Sequence, residues 1–121
     1  MQRILVIDDE EAIRELLRCV LEQAGYYVLE APNGLVGLQI YRTHPVDLVI
    51  TDMRMPEKSG LETIQELKHD FPDARIIAIS GQGDIQPQLF GCAQQLGTLH
   101  TVPKPFELAQ ILTAVRDALQ H

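Results

Sequence analysis

Residues 4–9 read Ile4-Leu5-Val6-Ile7-Asp8-Asp9, four branched apolar side chains running without a break into two carboxylates. A short apolar run bounded by polar residues fits a strand buried on both faces, as in a parallel sheet. The same pattern returns at Leu48-Val49-Ile50-Thr51, which meets Asp52, and at Ile76-Ile77-Ala78-Ile79, which meets Ser80. It returns again at Leu99-His100-Thr101-Val102, followed by Pro103 and Lys104. Tyr27-Val28-Leu29-Glu30-Ala31 reads as a further strand, second in chain order.

Helical spacing fills the intervals. Ile13, Leu16, Leu17, Val20, Leu21 and Ala24 mark one apolar face, and Gly25 is placed to end that helix. Asn33-Gly34 opens a second helix that stops before His44-Pro45. A third carries Leu61, Ile64, Leu67 and Phe71 and stops before Pro72. Leu89, Cys92, Ala93 and Leu96 predict another, interrupted early by Pro87, and Leu108, Ile111, Leu112, Val115 and Leu119 predict the last. Strict alternation with right-handed crossovers gives an α/β fold, a doubly wound five-stranded parallel sheet with helices on both faces.

The 121 residues suit a single domain, 1–121, with no repeat, linker or low-complexity tail. A chain of this length buries roughly 65% of its unfolded surface, enough for one core. No apolar run approaches the ~20 residues that span a bilayer. Met1-Gln2-Arg3 leads straight into a strand, which leaves no secretory core, so a cytoplasmic location is expected. A formal charge of −7 argues against nucleic-acid binding, which needs a basic stripe. Cys19 and Cys92 form neither a Cys-x-x-Cys nor a zinc pattern and read as reduced thiols.

Ligands of open parallel sheets bind at the carboxyl ends of the strands. Asp8, Asp9, Asp52, Ser80 and Lys104 therefore converge on one edge. Mg²⁺ takes oxygen ligands, commonly one or two carboxylates together with a phosphate. Asp52 can act as a nucleophile to form an aspartyl phosphate, and Lys104 can neutralise the equatorial oxygens of a transferring phosphoryl group. Ser80 can donate to such an oxygen, with the Gly81 N–H beside it. Each residue also has a simpler reading. Asp8-Asp9 can cap the first helix, Asp52 can cap the Met-Pro turn, Lys104 can be a solvated surface lysine, and residues 80–84 can be a plain loop. All of these together would need several independent coincidences of position.

The motifs Asp8-Asp9-Glu10, Asp52-Met53-Arg54-Met55-Pro56 followed by Gly60, Ser80-Gly81 and Lys104-Pro105-Phe106 carry a resemblance. Over essentially its whole length the chain resembles the receiver domain of the two-component response regulators. The resemblance implies a flavodoxin-like receiver fold with strand order 2-1-3-4-5. It implies that Asp52 accepts a phosphoryl group from a phosphohistidine on a sensor histidine kinase or phosphotransfer protein. Mg²⁺ would be held by Asp8, Asp9, Asp52 and the backbone carbonyl of Arg54. Lys104 would bind the phosphoryl group, Ser80 would reorient toward it, and the Lys104-Pro105 peptide would be cis. Such a domain is a phosphoacceptor that assists its own transfer and slow autodephosphorylation, not an enzyme. Thr101 stands at a switch position where the family often has an aromatic residue, so backbone or helix movement is expected to carry the signal.

Two other classes are weaker. An aspartyl-phosphate hydrolase typically places a general acid two residues after the nucleophile, where this chain has Arg54. A phosphorylation-independent binding module has no use for the acidic cluster. Phosphate relay through His44, His69, His100 or His121 is disfavoured, since only His100 falls near the site. The expected partners are the kinase or phosphotransfer protein and a downstream protein target or attached output domain, with neither nucleic acid nor membrane bound directly. Residues 85–101 carry no Asp, Glu, Lys or Arg, and Phe90 is expected either to project off the predicted helix there as an anchor for an apolar contact or to tuck under a loop. The domain itself is expected to be a monomer or weak dimer.

Overall fold

The computed structural model describes residues 2–53, 60–80, 95, 97–104 and 106–120. The strands are β1 (Arg3–Ile7), β2 (Tyr27–Ala31), β3 (Leu48–Asp52), β4 (Ile76–Ser80) and β5 (His100–Pro103). They form one parallel sheet in the order β2-β1-β3-β4-β5. Helices α1 (Glu11–Gln23), α2 (Gly34–Thr43), α3 (Gly60–Asp70) and α4 (Leu108–Leu119) cover it. The helix expected on Leu89, Cys92, Ala93 and Leu96, and with it Phe90, lies outside the described residues.

The inner strands β1, β3 and β4 are apolar on both sides because each side meets helices. Leu5, Ile7, Val49, Ile76 and Ala78 pack with Leu38 and Tyr41 of α2 and Ile64 and Leu67 of α3. Their neighbours in sequence, Ile4, Val6, Leu48, Ile50, Ile77 and Ile79, pack with Leu17 and Leu21 of α1 and Ile111, Val115 and Ala118 of α4. Side chains alternate across a strand, so two buried faces require an unbroken apolar run rather than an alternating one. Full burial of each such aliphatic side chain stabilises the fold by about 1.5–3 kcal/mol.

Local signals set the helix ends. The Asn33 side chain accepts from the Val36 N–H at 2.9 Å and caps α2. Gly25 at φ 97° ends α1, its N–H donating to the Glu22 carbonyl while the Tyr26 N–H donates to that of Leu21. That reciprocal pair needs a left-handed residue, which glycine adopts without strain. The Glu107 N–H donates to the Gln110 side chain at 2.9 Å at the start of α4.

Two expectations are corrected in detail. Leu16 is 42% exposed, since it sits about 100° around α1 from Leu17, beyond the stripe that meets the sheet. Ala24 is exposed as well, because it is the cap residue beyond the last turn. The last strand runs one residue later than its apolar run. Leu99 still donates to the Ile76 carbonyl at 2.8 Å, and Pro103 is accommodated because β5 is at the end of the strand order.

Candidate functional site at the carboxyl edge of the sheet

The parallel register aligns the strand ends. Ile7 lies opposite Ala31 and Thr51, Asp52 opposite Ile79, and Ser80 opposite Pro103. Asp8 continues β1 by one residue, its N–H donating to the Ala31 carbonyl at 3.1 Å. It is 1% exposed, and Asp52, the last residue of β3, is 3% exposed. Beside Asp52, the Met53 N–H donates to Ile79 at 2.8 Å and the Met53 carbonyl accepts from Gly60 at 3.0 Å. The first turn of α3 therefore lies against the end of β3. A Cβ on Gly60 would overlap the Asp52 carbonyl oxygen and sit 2.5 Å from Met53 Cα, so only glycine permits this approach.

Lys104 follows β5 and folds back over these carboxylates. Its Nζ lies 3.1 Å from Asp8 Oδ2, 3.1 Å from Glu10 Oε1 and 3.4 Å from Asp52 Oδ2. Carboxylate oxygens of Asp8, Asp9, Glu10 and Asp52 all fall within 4.8 Å of one another. Among the described residues, the Lys104 ammonium thus lies against the carboxylates of Asp8, Glu10 and Asp52, the first and last of them buried, with Asp9 in the same cluster. Burial raises the Asp8 carboxyl above its ordinary range, aided by the Glu10 charge, and the Glu10 N–H and Lys104 offset this only in part. Burial alone would push Lys104 down, but the Asp52 and Asp8 charges overcome it and raise it, so it remains an ammonium. For Asp8, loss of water is the larger disturbance and repulsion from Glu10 the smaller. The all-oxygen donor set suits a hard divalent cation, which would neutralise the surplus charge.

Asp8, Asp9, Asp52 and Lys104 are therefore brought together as the sequence predicts. Ser80 ends β4 between Asp52 and Lys104 in strand order, while its side chain, Gly81, Arg54 and Pro105 lie outside the described residues. Thr101 lies on β5 opposite Ala78, in a cleft of about 410 Å³ shared with His100, Val102 and Gln110. His100 Nε2 lies 2.7 Å from Asp117 Oδ2 on α4, away from the carboxylates. Sequence reasoning missed Glu10 as a member of the site. Its only sequence signal is adjacency in Asp8-Asp9-Glu10. The capping alternative fails, since the cap of α1 is Glu10 and its side chain makes no cap bond.

The sequence pattern of the response regulator receiver domain matches residues 4–116. Among curated relatives, sporulation initiation phosphotransferase F of Bacillus subtilis is 33% identical over 118 residues, covering 98% of this chain and 94% of that protein. Response regulator RR06 of Streptococcus pneumoniae is 38% identical over 122 residues, covering 98% of this chain but 53% of that protein. The solved structure of response regulator protein TrrA of Thermotoga maritima, in complex with Mg²⁺-BeF, superposes with a TM-score of 0.84 at 34% identity, covering 98% of this chain and 99% of that one. Both the strand order and the acidic edge that Lys104 closes are accounted for by one conclusion: the chain belongs to the response regulator receiver domain family, whose members are phosphoacceptor signalling domains rather than turnover enzymes.

Proposed function

We propose that residues 1–121 act as a single receiver domain in which Asp52 accepts a phosphoryl group from a phosphohistidine on a sensor kinase or phosphotransfer protein. The observation that carries this is the placement of Asp52, 3% exposed at the end of β3 with the Lys104 ammonium 3.4 Å away. An Asp52 carboxylate oxygen attacks phosphorus, the O–P bond forms as the P–N bond breaks, and the electron pair returns to the donor imidazole. Lys104 is placed to bind the equatorial oxygens as their charge develops. Asp8 and Asp9, with Asp52 and the Arg54 carbonyl, would hold Mg²⁺. The bound ion would neutralise charge on the phosphoryl oxygens and orient them for in-line transfer. TrrA, 34% identical, is described with Mg²⁺ and beryllium fluoride, a phosphoryl mimic, and phosphotransferase F carries its activity in its name.

Phosphorylation would add charge and acceptor oxygens beside Ser80 and Gly81, drawing Ser80 and Lys104 inward and shifting the segment after β4, with Thr101 following on β5. Slow autodephosphorylation would return the domain to rest. The signal would pass to a cytoplasmic protein target or an attached output domain; response regulator RR06 is about twice the length of this chain. On this reading the domain is a monomer or weak dimer before phosphorylation. Incubation with acetyl phosphate should label wild type only with Mg²⁺ present, and Asp52→Asn not at all. Equal labelling of the mutant would sink the assignment.

A further inference from the structure

Three of the four clustered carboxylates sit on the turn Asp8-Asp9-Glu10, whose backbone must be fixed for them to converge. Arg14, one turn into α1, spans that turn. Its side-chain Nη1 donates to the Asp8 carbonyl at 2.7 Å, and its own backbone N–H donates to the Glu10 carbonyl at 3.1 Å. The side chain is 16% exposed, and its Nε lies 3.5 Å from Glu30 Oε1 on β2. Glu30 is in turn held by Arg18 Nη1 at 3.1 Å. The Arg14 guanidinium is thus aimed at a main-chain oxygen and anchored from the neighbouring strand. The Asp8 N–H is tied to β2 through Ala31, so Arg14 closes the other side of the same residue.

We infer that Arg14 is a positioning residue of the cation site: it fixes the Asp8-Asp9-Glu10 turn so that its carboxylates face one point. This rests on reading the cluster as a Mg²⁺ site. Charge and position make opposite predictions here. A fixed positive charge near a cation site weakens binding by simple repulsion, so if Arg14 acted by charge alone its removal would tighten Mg²⁺ binding. If it acts by holding the ligand backbone, removal loosens binding, and outer partners of metal ligands commonly contribute about 10–100-fold in affinity.

The experiment is titration of the metal-free full chain with MgCl₂, followed by calorimetry or amide chemical shifts, with circular dichroism to confirm folding. Arg14→Ala should bind Mg²⁺ about 10-fold or more weakly. Arg14→Lys, which keeps the charge but loses the planar fork, should fall between it and wild type. Glu30→Gln, which leaves Arg14 in place but loosens its anchor, should shift affinity in the same direction by less. The Mg²⁺ concentration for half-maximal labelling by acetyl phosphate should rise with the measured dissociation constant. Affinity in Arg14→Ala equal to or tighter than wild type overturns the inference, as does unchanged affinity in Glu30→Gln if Arg14→Ala fails to fold. Wild-type protein that binds no Mg²⁺ overturns the reading of the site, and this inference with it.

Discussion

Every polar atom of Asp8 is engaged: its N–H by Ala31, its carbonyl by Arg14, and its two carboxylate oxygens by the Glu10 N–H and Lys104. Even so, burial leaves its carboxyl raised above the ordinary aspartate range. The folded state then binds a proton more readily than the unfolded chain. The stability this contributes is fully present below the unfolded pKa of about 3.9 and is lost as pH rises through the folded value. At neutral pH without metal, a carboxylic acid at this buried position therefore costs the fold stability that a neutral side chain would keep. Asp8→Asn should be at least as stable as wild type in EDTA at pH 7, and its advantage should vanish below about pH 4. Urea melts followed by circular dichroism across that range check this, and a pH-independent difference would refute it. The same substitution should abolish the response to Mg²⁺, since a neutral amide offers a weaker ligand.

Elements position the site through their ends, and two glycines show how tight the fit is. A Cβ at Gly60 would meet backbone, the Asp52 carbonyl and Met53 Cα, whereas one at Gly37 would meet the flexible end of the Ile7 side chain. Backbone cannot step aside without moving Asp52. Gly60→Ala should therefore destabilise by about 1–3 kcal/mol and slow labelling of Asp52, while Gly37→Ala should cost less and leave the labelling rate near wild type. Chemical denaturation and acetyl phosphate kinetics on both variants test this; equal effects would contradict the placement of α3 against β3. The strand ends were legible in the sequence because each buried strand is a contiguous apolar run that stops where chemistry begins. Glu10 and Arg14 were not legible, since both look like ordinary charges on an amphipathic helix and their reach depends on the path of the turn before it. Leu16 was over-read because spacing alone does not reveal how wide a stripe the sheet covers.

At the scale of the whole molecule, a parallel sheet collects residues from positions 8 to 104 onto one edge, where Lys104 offsets part of the concentrated charge. A formal charge of −7 is spread over the chain, but two acids of the cluster are buried, where added salt screens them far less than it screens exposed charges. Binding of Mg²⁺ to the folded state alone should stabilise it by RT ln(1 + [Mg²⁺]/Kd), about 2.7 kcal/mol at a hundredfold excess over Kd. For a domain of this size that is a rise in Tm of roughly 10 °C. NaCl at matched ionic strength should raise Tm far less, because it screens without entering the carboxylate cluster. Asp52→Asn should retain part of the Mg²⁺ response through Asp8 and Asp9, and Asp8→Asn combined with Asp52→Asn should retain none. Thermal melts of the three proteins in MgCl₂, NaCl and EDTA decide the matter. If sodium matches magnesium, or if the double variant still responds, the cluster is a general charge reservoir and not a divalent cation site.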